Sequence, residues 1–262
     1  MLRFDFVSKR KCQIRVLIWC FLFIGVEQVY GTEWDVVKST HFIIYHQQVP
    51  SDDINRLSYK AEFYYRNIAD YLGFKRLNFW TWENRCKIFL YSNRKIYLKE
   101  TGCSSWSRAH VQVVKKEIKT YIGRKDFFNT ILPHEMGHII FREFVGYNKK
   151  LPLWIDEGVA CMQEEGSYKR LKAMQSFAKQ NKYLKISELS NINNYKLNDM
   201  DLFYSQSASI IDFLLNRFGR NKFVDFCRQL RDKENWEEAL KTTYGFGSLE
   251  ELEKDWIGKL LD

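Results

Sequence analysis

The sequence predicts an α+β fold in two lobes: a mixed α/β lobe with a small sheet over residues 32–125, then a mainly helical lobe over residues 126–262. Three observations predict it. Short segments rich in β-branched and aromatic residues concentrate in the first half. From Asp126 onward apolar residues recur three and four apart, the helical period. No internal repeat and no Pro- or Ser-rich linker separates the halves, so both are read as one compact unit. With 45% hydrophobic and 28% charged residues, and only 3 Pro and 13 Gly in 262 positions, the chain is neither collagen-like, nor low-complexity, nor disordered.

The first segment stands outside that fold. Arg3, Lys9, Arg10, Lys11 and Arg15 face only Asp5 and Glu27, and the apolar run Val16–Val26, VLIWCFLFIGV, follows. A basic start, a short apolar run, and Val29 and Gly31 at the −3 and −1 positions make the pattern of a secretory signal peptide. The run is shorter than the roughly 20 residues a membrane span needs. The expectation is export to a periplasmic or extracellular space, with the leader over residues 1–31 either cleaved after Gly31 or kept as an N-terminal membrane anchor. Part of the formal +9 lies in this leader, and the remainder is thinly spread. Without a basic stripe or an aromatic RNA-binding motif, nucleic acid is not an expected partner.

Beyond the leader, Lys38–His46, KSTHFIIYH, reads as one strand, and Ser51 as the cap of an amphipathic helix that runs to about Tyr71 and stops at Gly73. Cys86–Tyr91, CKIFLY, is a buried strand; Asn93–Glu100 is a short helix; Ser107–Val114 and Glu117–Ile122 are two further strands. Helical periodicity then covers 127–144, 154–165, 167–180, 201–218, 221–231, 236–243 and 248–261, with Gly219 and Gly245 at C-cap positions. Trp80, Trp82 and Trp106 are read as core or pocket wall. Of the 6 cysteines, Cys86, Cys103, Cys161 and Cys227 follow the leader. An oxidising compartment permits disulfides, and Cys86 with Cys103 is the favoured pair among three full pairings. The absence of a CxxC spacing argues against a cysteine zinc site or a redox dithiol.

The chemistry concentrates in Leu132–Phe141, LPHEMGHIIF, where His134, Glu135 and His138 have the HExxH spacing. Residues four apart share a helix face, so both imidazoles can address one ion, while Glu135, about 100° around the helix, addresses a water on that ion. Neutral imidazoles suit zinc, zinc lowers the pKa of its bound water toward about 7, and Glu135 can then act as general base. The flanks Thr130–Leu132 and Ile139–Phe141 are apolar, so unemployed histidines and a charge here would be expensive. A catalytic zinc takes a third protein ligand.

Glu157 follows His138 by nineteen positions, inside Leu151–Ala160, LPLWIDEGVA. HExxH followed by a Glu within a Trp-x-x-Glu-Gly-x-Ala segment resembles the gluzincin zinc metallopeptidases, in particular their small peptidase-MA-like group. The resemblance runs from STHFIIYH through LPHEMGH and LPLWIDEGVA to Tyr204–Ser209 and Leu214–Gly219. It implies a zincin-like fold for residues 32–262, one Zn2+ held by His134, His138 and Glu157, Glu135 as the base, and a peptide or protein substrate. Asp156 is the competing carboxylate, but on a helix it projects about 100° from Glu157, and the family pattern places the ligand immediately before the Gly. Tyr204, which opens a helix after the loop 191–200, is the implied donor to the oxygen of the attacked carbonyl. Similar sequences carry an acid four positions after the ligand Glu to orient a ligand histidine; Cys161 stands there. Glu164, Asp156 or a backbone carbonyl are the alternatives, or weaker metal binding.

Ala109–Val114, AHVQVV, is the strand expected to receive a peptide as an added strand. His41, His46 and His110 are read as structural. No Gly-x-Met-Glu-Asn segment grips a free amine upstream of His134, so an endopeptidase is expected rather than an aminopeptidase. The competing reading is a catalytically weak or inactive gluzincin-like protein that binds a partner or cell-envelope material. Oligomeric state is not legible.

Overall fold

In the computed structural model, which describes residues 33–74, 80–105, 107–123, 126–193, 199–233 and 235–262, the predicted leader lies outside the described residues. The chain first forms a hairpin of β1 (Asp35–Lys38) and β2 (Phe42–His46), antiparallel with Asp35 opposite His46 and Lys38 opposite Ile43. The single strand expected over Lys38–His46 is therefore divided. The break has a long-range cause: the Glu62 carboxylate accepts from Ser39 Oγ at 2.6 Å, from the His41 backbone N–H at 2.8 Å and meets His41 Nδ1 at 2.6 Å. Those bonds hold 39–41 in a turn.

β3 (Cys86–Tyr91) runs parallel to β2, and β5 (Glu117–Tyr121) parallel to β3. β4 (His110–Gln112) pairs antiparallel with β5, giving the order β1-β2-β3-β5-β4 and leaving β4 as an edge. Phe42, Ile44, Ile88 and Leu90 alternate into the core on the two central strands. Between them lie α1 (Ser51–Leu72), which turns Ile54, Leu57, Ala61, Ile68 and Leu72 inward, and α2 (Arg94–Thr101), capped by Asn93 Oδ1 accepting from the Ile96 N–H at 3.0 Å. Pro50, not Ser51, occupies the N-cap of α1, and Gly73 ends it in the left-handed region at φ 77°.

A wide π-type turn over Phe127–Ile131 leads into α3 (Leu132–Val145), so Pro133 falls in the first turn, where its missing N–H leaves no bond unmade. α4 (Leu153–Cys161) is shorter than its periodicity implies; turns carry the chain on to α5 (Tyr168–Lys179) and α6 (Ile186–Ser190), the latter too short to show a period. α7 (Met200–Asp232) joins the two helices predicted on either side of Gly219, whose φ 81° and ψ 164° mark the kink. α8 (Trp236–Tyr244) ends at left-handed Gly245, and α9 (Leu249–Leu261) starts from Ser248 Oγ. A small five-stranded sheet on the N-terminal side and a helical C-terminal part are the α+β arrangement that the sequence predicts. One apolar core, from Phe42 to Trp256, runs through both. Among the described residues no helix is long and apolar enough to cross a membrane.

The cysteine expectation is corrected. Cys86, Cys103, Cys161 and Cys227 are all free thiols. Cys86 opens β3, whereas Cys103 follows α2 and lies by Tyr91 at the other end of that strand. At about 3.3 Å per residue the two ends of β3 are roughly 16 Å apart, and a disulfide needs Cα atoms within about 7 Å. Trp80 is core, donating its indole N–H to Glu143 at 2.6 Å, while Trp82 is exposed and Trp106 lies outside the described residues.

Candidate metal centre

α3 aims His134 and His138 from adjacent turns, with their Nε2 atoms 3.2 Å apart. Glu157, on α4 and only 4% exposed, brings Oε2 to 3.4 Å from His134 Nε2 and 3.6 Å from His138 Nε2. The convergence depends on close helix packing. A Cβ on Gly137 of α3 would lie 3.0 Å from the Ala160 Cα of α4. A Cβ on Gly158 would overlap the Ser207 carbonyl oxygen of α7 and come within 2.7 Å of Ile211 Cγ1. Glycine at both positions lets α4 sit between α3 and α7 and carries Glu157 onto the histidines.

The other ring nitrogens are also held. His138 Nδ1 meets Asp156 Oδ1 at 2.9 Å, and Arg142 donates Nε–H to the second Asp156 oxygen at 2.7 Å and Nη1–H to the Lys149 carbonyl at 2.8 Å. His134 Nδ1 meets Glu164 Oε1 at 2.9 Å, and Arg170 donates to both Glu164 oxygens, each at 3.0 Å. Glu164 comes into reach because its turn is docked beneath the π-turn, with the Glu165 N–H donating to the Asn129 carbonyl at 2.7 Å. Asp156 is thus a partner of the His138 ring and lies on the far side from the Glu157 contact. Cys161, at the position where similar sequences carry an acid, is buried beside His134 and Glu164. Burial raises its pKa, so the thiol is neutral and Glu164 is the carboxylate on this ring.

With carboxylates accepting at both Nδ1 positions, the two Nε2 lone pairs and the Glu157 carboxylate face one centre. Arg142 and Arg170 answer the charges of Asp156 and Glu164, whereas the Glu157 charge faces the imidazoles. Such a centre draws positive charge. Burial works against protonating His138, yet the charges of Asp156 and Glu157 outweigh it and raise its pKa to about 10. His134 is raised well above its ordinary value against the same burial, through Cys161, Glu157 and Glu164. Burial would lift Glu157, but its bonds with both histidines hold it well below the usual carboxylate range. Two imidazole nitrogens and one carboxylate, each ring held from behind, are a donor set that fits zinc.

Glu135 is half-buried on α3. Burial raises the nearby Tyr97 phenol to about 12 against its bond with Ser107, with Cys103 and, least, the Glu135 charge adding to the rise; Tyr97 Oη bonds Ser107 Oγ at 2.7 Å, and Ser107 Oγ donates to the Ala109 carbonyl at 3.1 Å, just before β4. Tyr204, half-buried in the first turns of α7, neighbours Glu157 and His134; burial first and the Glu157 charge second raise its pKa to about 12, so it stays a donor at neutral pH. His41, His46 and His110 lie outside the cluster. Two residues escaped the sequence reading. Arg142 stands four positions after His138, on the same helix face, which is a signal that spacing offers; Arg170, in the next helix but one, offers none.

Residues 117–261, from β5 to the end of α9 and more than half of the chain, match the Peptidase MA superfamily, and the chain belongs to that superfamily of peptidases. Among solved structures, it is similar to the M1 zinc metallopeptidase from Deinococcus radiodurans, with 14% identity and a TM-score of 0.48 over 86% of this chain and 51% of that one. The chain thus spans about half the length of that protein. No curated protein matches.

Proposed function

We propose that this chain is an exported zinc metallopeptidase, an endopeptidase with one metal ion. The observation that carries the reading is the convergence of His134 Nε2, His138 Nε2 and Glu157 Oε2 within 3.6 Å, with a carboxylate behind each imidazole. Bound zinc would supply a Lewis acid that polarises the scissile carbonyl and lowers the pKa of water. Glu135 accepts a proton from the attacking water and returns it to the departing amine, so that one peptide bond breaks as one C–O bond forms. Tyr204 donates its O–H to the carbonyl oxygen as negative charge grows there. The open edge of β4 supports a peptide laid alongside as an added strand, which suits cleavage within a chain. Export rests on the basic and apolar leader alone. Glu164 on the His134 ring weakens one ground for the inactive-binder reading, the cysteine at position 161.

Metal analysis of the purified protein is expected to find about one zinc per chain. A peptide-library digest followed by mass spectrometry is expected to show internal cleavages that fall about 10²–10⁴-fold in Glu135→Gln, with zinc retained. Zinc without cleavage in the unaltered protein would favour the binder, and cleavage unchanged in Glu135→Gln would remove the base.

A further inference from the structure

Each histidine of the centre leans on a carboxylate, and each carboxylate is held by an arginine, but the two arginines are not equivalent. Arg142 belongs to α3, the same helix as the histidines, and is anchored to the Lys149 backbone. Arg170 comes from α5 and does two things at once. Its Nε and Nη2 fork grips both oxygens of Glu164, the carboxylate on His134 Nδ1. Its guanidinium carbon also lies 5.3 Å from the centroid of the Tyr204 ring. A forked pair fixes a carboxylate in plane and rotation, which a single ammonium does not, and a planar guanidinium stacks on a phenol face.

From this geometry we infer that Arg170 is a positioning residue: it sets the His134 ring through Glu164 and the Tyr204 phenol through its face, and so ties the metal side of the cleft to the carbonyl side. The inference rests on the zinc peptidase reading. Without Arg170, Glu164 is a buried carboxylate lacking its cation, and it gains freedom to leave Nδ1. His134 then loses its fixed orientation, and metal affinity drops by the factor found when a residue behind a ligand histidine is removed, about 10–100-fold. Tyr204 meanwhile loses the cation that lies over its ring. Arg170 thus acts on the His134 ring, through Glu164, from a helix outside the motif.

The test uses the full-length protein with Arg170→Met, Arg170→Lys, Tyr204→Phe and the Arg170→Met/Tyr204→Phe double variant, each checked for an unaltered far-ultraviolet spectrum. Zinc affinity is measured by competition with a chromogenic chelator, and cobalt(II) substituted for zinc reports ligand geometry in its visible spectrum. Arg170→Met is expected to weaken zinc about 10–100-fold and to shift the cobalt spectrum. Arg170→Lys is expected to restore part of the affinity, having the charge but not the fork. Tyr204→Phe is expected to leave zinc affinity unchanged. On a fluorogenic peptide mixture, Arg170→Met is expected to lower kcat more than it raises KM, and to cost less in the Tyr204→Phe background than alone. Zinc affinity and cobalt spectrum unchanged in both Arg170 variants would overturn the inference while leaving the peptidase reading intact. Fully additive losses in the double variant would overturn the link to Tyr204. An unaltered protein that binds no zinc would overturn the peptidase reading first, and this inference with it.

Discussion

At the residue scale, the site is organised around where positive charge is allowed. Asp156, Glu157 and Glu164 surround two imidazoles, two arginines answer two of the carboxylates, and the rest of the negative charge meets the ring nitrogens. In the zinc-stripped protein, the Asp156 and Glu157 carboxylates outweigh burial and raise the pKa of His138 to about 10 in the folded state. The unfolded value is about 6.5. A group raised in this way adds stability that is fully present below the unfolded value and is lost as pH rises through the folded one, because the folded state then keeps a proton the unfolded chain has already released. In urea denaturation with a chelator, the midpoint of the zinc-stripped protein is therefore expected to fall from pH 7 to pH 9. With zinc bound, His138 has already given up its Nε2 proton, and this component of the fall should vanish. A midpoint for the stripped protein that is level across that range would remove the proton from the centre.

At the scale of elements, the centre exists because α4 threads between α3 and α7. Gly158 is the tightest point of that crossing, and it directly follows Glu157 in the chain. Gly158→Ala is expected to force α4 away from the Ser207 carbonyl. The expected loss is about 1–3 kcal/mol in urea denaturation, with weaker zinc binding in the same variant. Equal stability and equal zinc affinity would show that α4 has slack the packing does not reveal. The same elements explain what could be read from the chain. His134, Glu135 and His138 were legible because they sit on one regular helix, where spacing converts directly into direction, whereas Glu157 was legible through the resemblance carried by its Trp-x-x-Glu-Gly-x-Ala segment. Glu164 was legible only as one of several alternatives for the partner of a ligand histidine, since α4 stops at Cys161 and the turn that follows aims the side chain, a direction no period encodes. The turn at 39–41 escaped for another reason: it answers to Glu62 in a different element, and only tertiary structure brings that carboxylate over the strand. The disulfide expectation failed because proximity in sequence across a strand is separation in space.

At the scale of the molecule, the sheet and the metal centre draw on different sources of stability. β2 and β3 are paired on both sides and bury Phe42, Ile44, Ile88 and Leu90 completely, so their order needs no ion. The centre instead joins α3 to α4, and through Glu164 and Arg170 it reaches the turn at 162–167 and α5. A ligand that binds only the native state stabilises it by an amount that grows with the logarithm of its concentration over Kd, about 4.1 kcal/mol at a thousandfold excess. Local openings that release the ion feel this stabilisation, whereas openings that leave the centre closed do not. Chelation is accordingly expected to speed amide hydrogen exchange across α3, α4 and residues 162–167 while β2 and β3 keep their protection. Exchange measured by mass spectrometry on peptides from each segment tests this directly. A rise of equal size in the sheet would mean that the centre and the sheet open together, and that the ion stabilises the whole unit rather than the helical part that holds it.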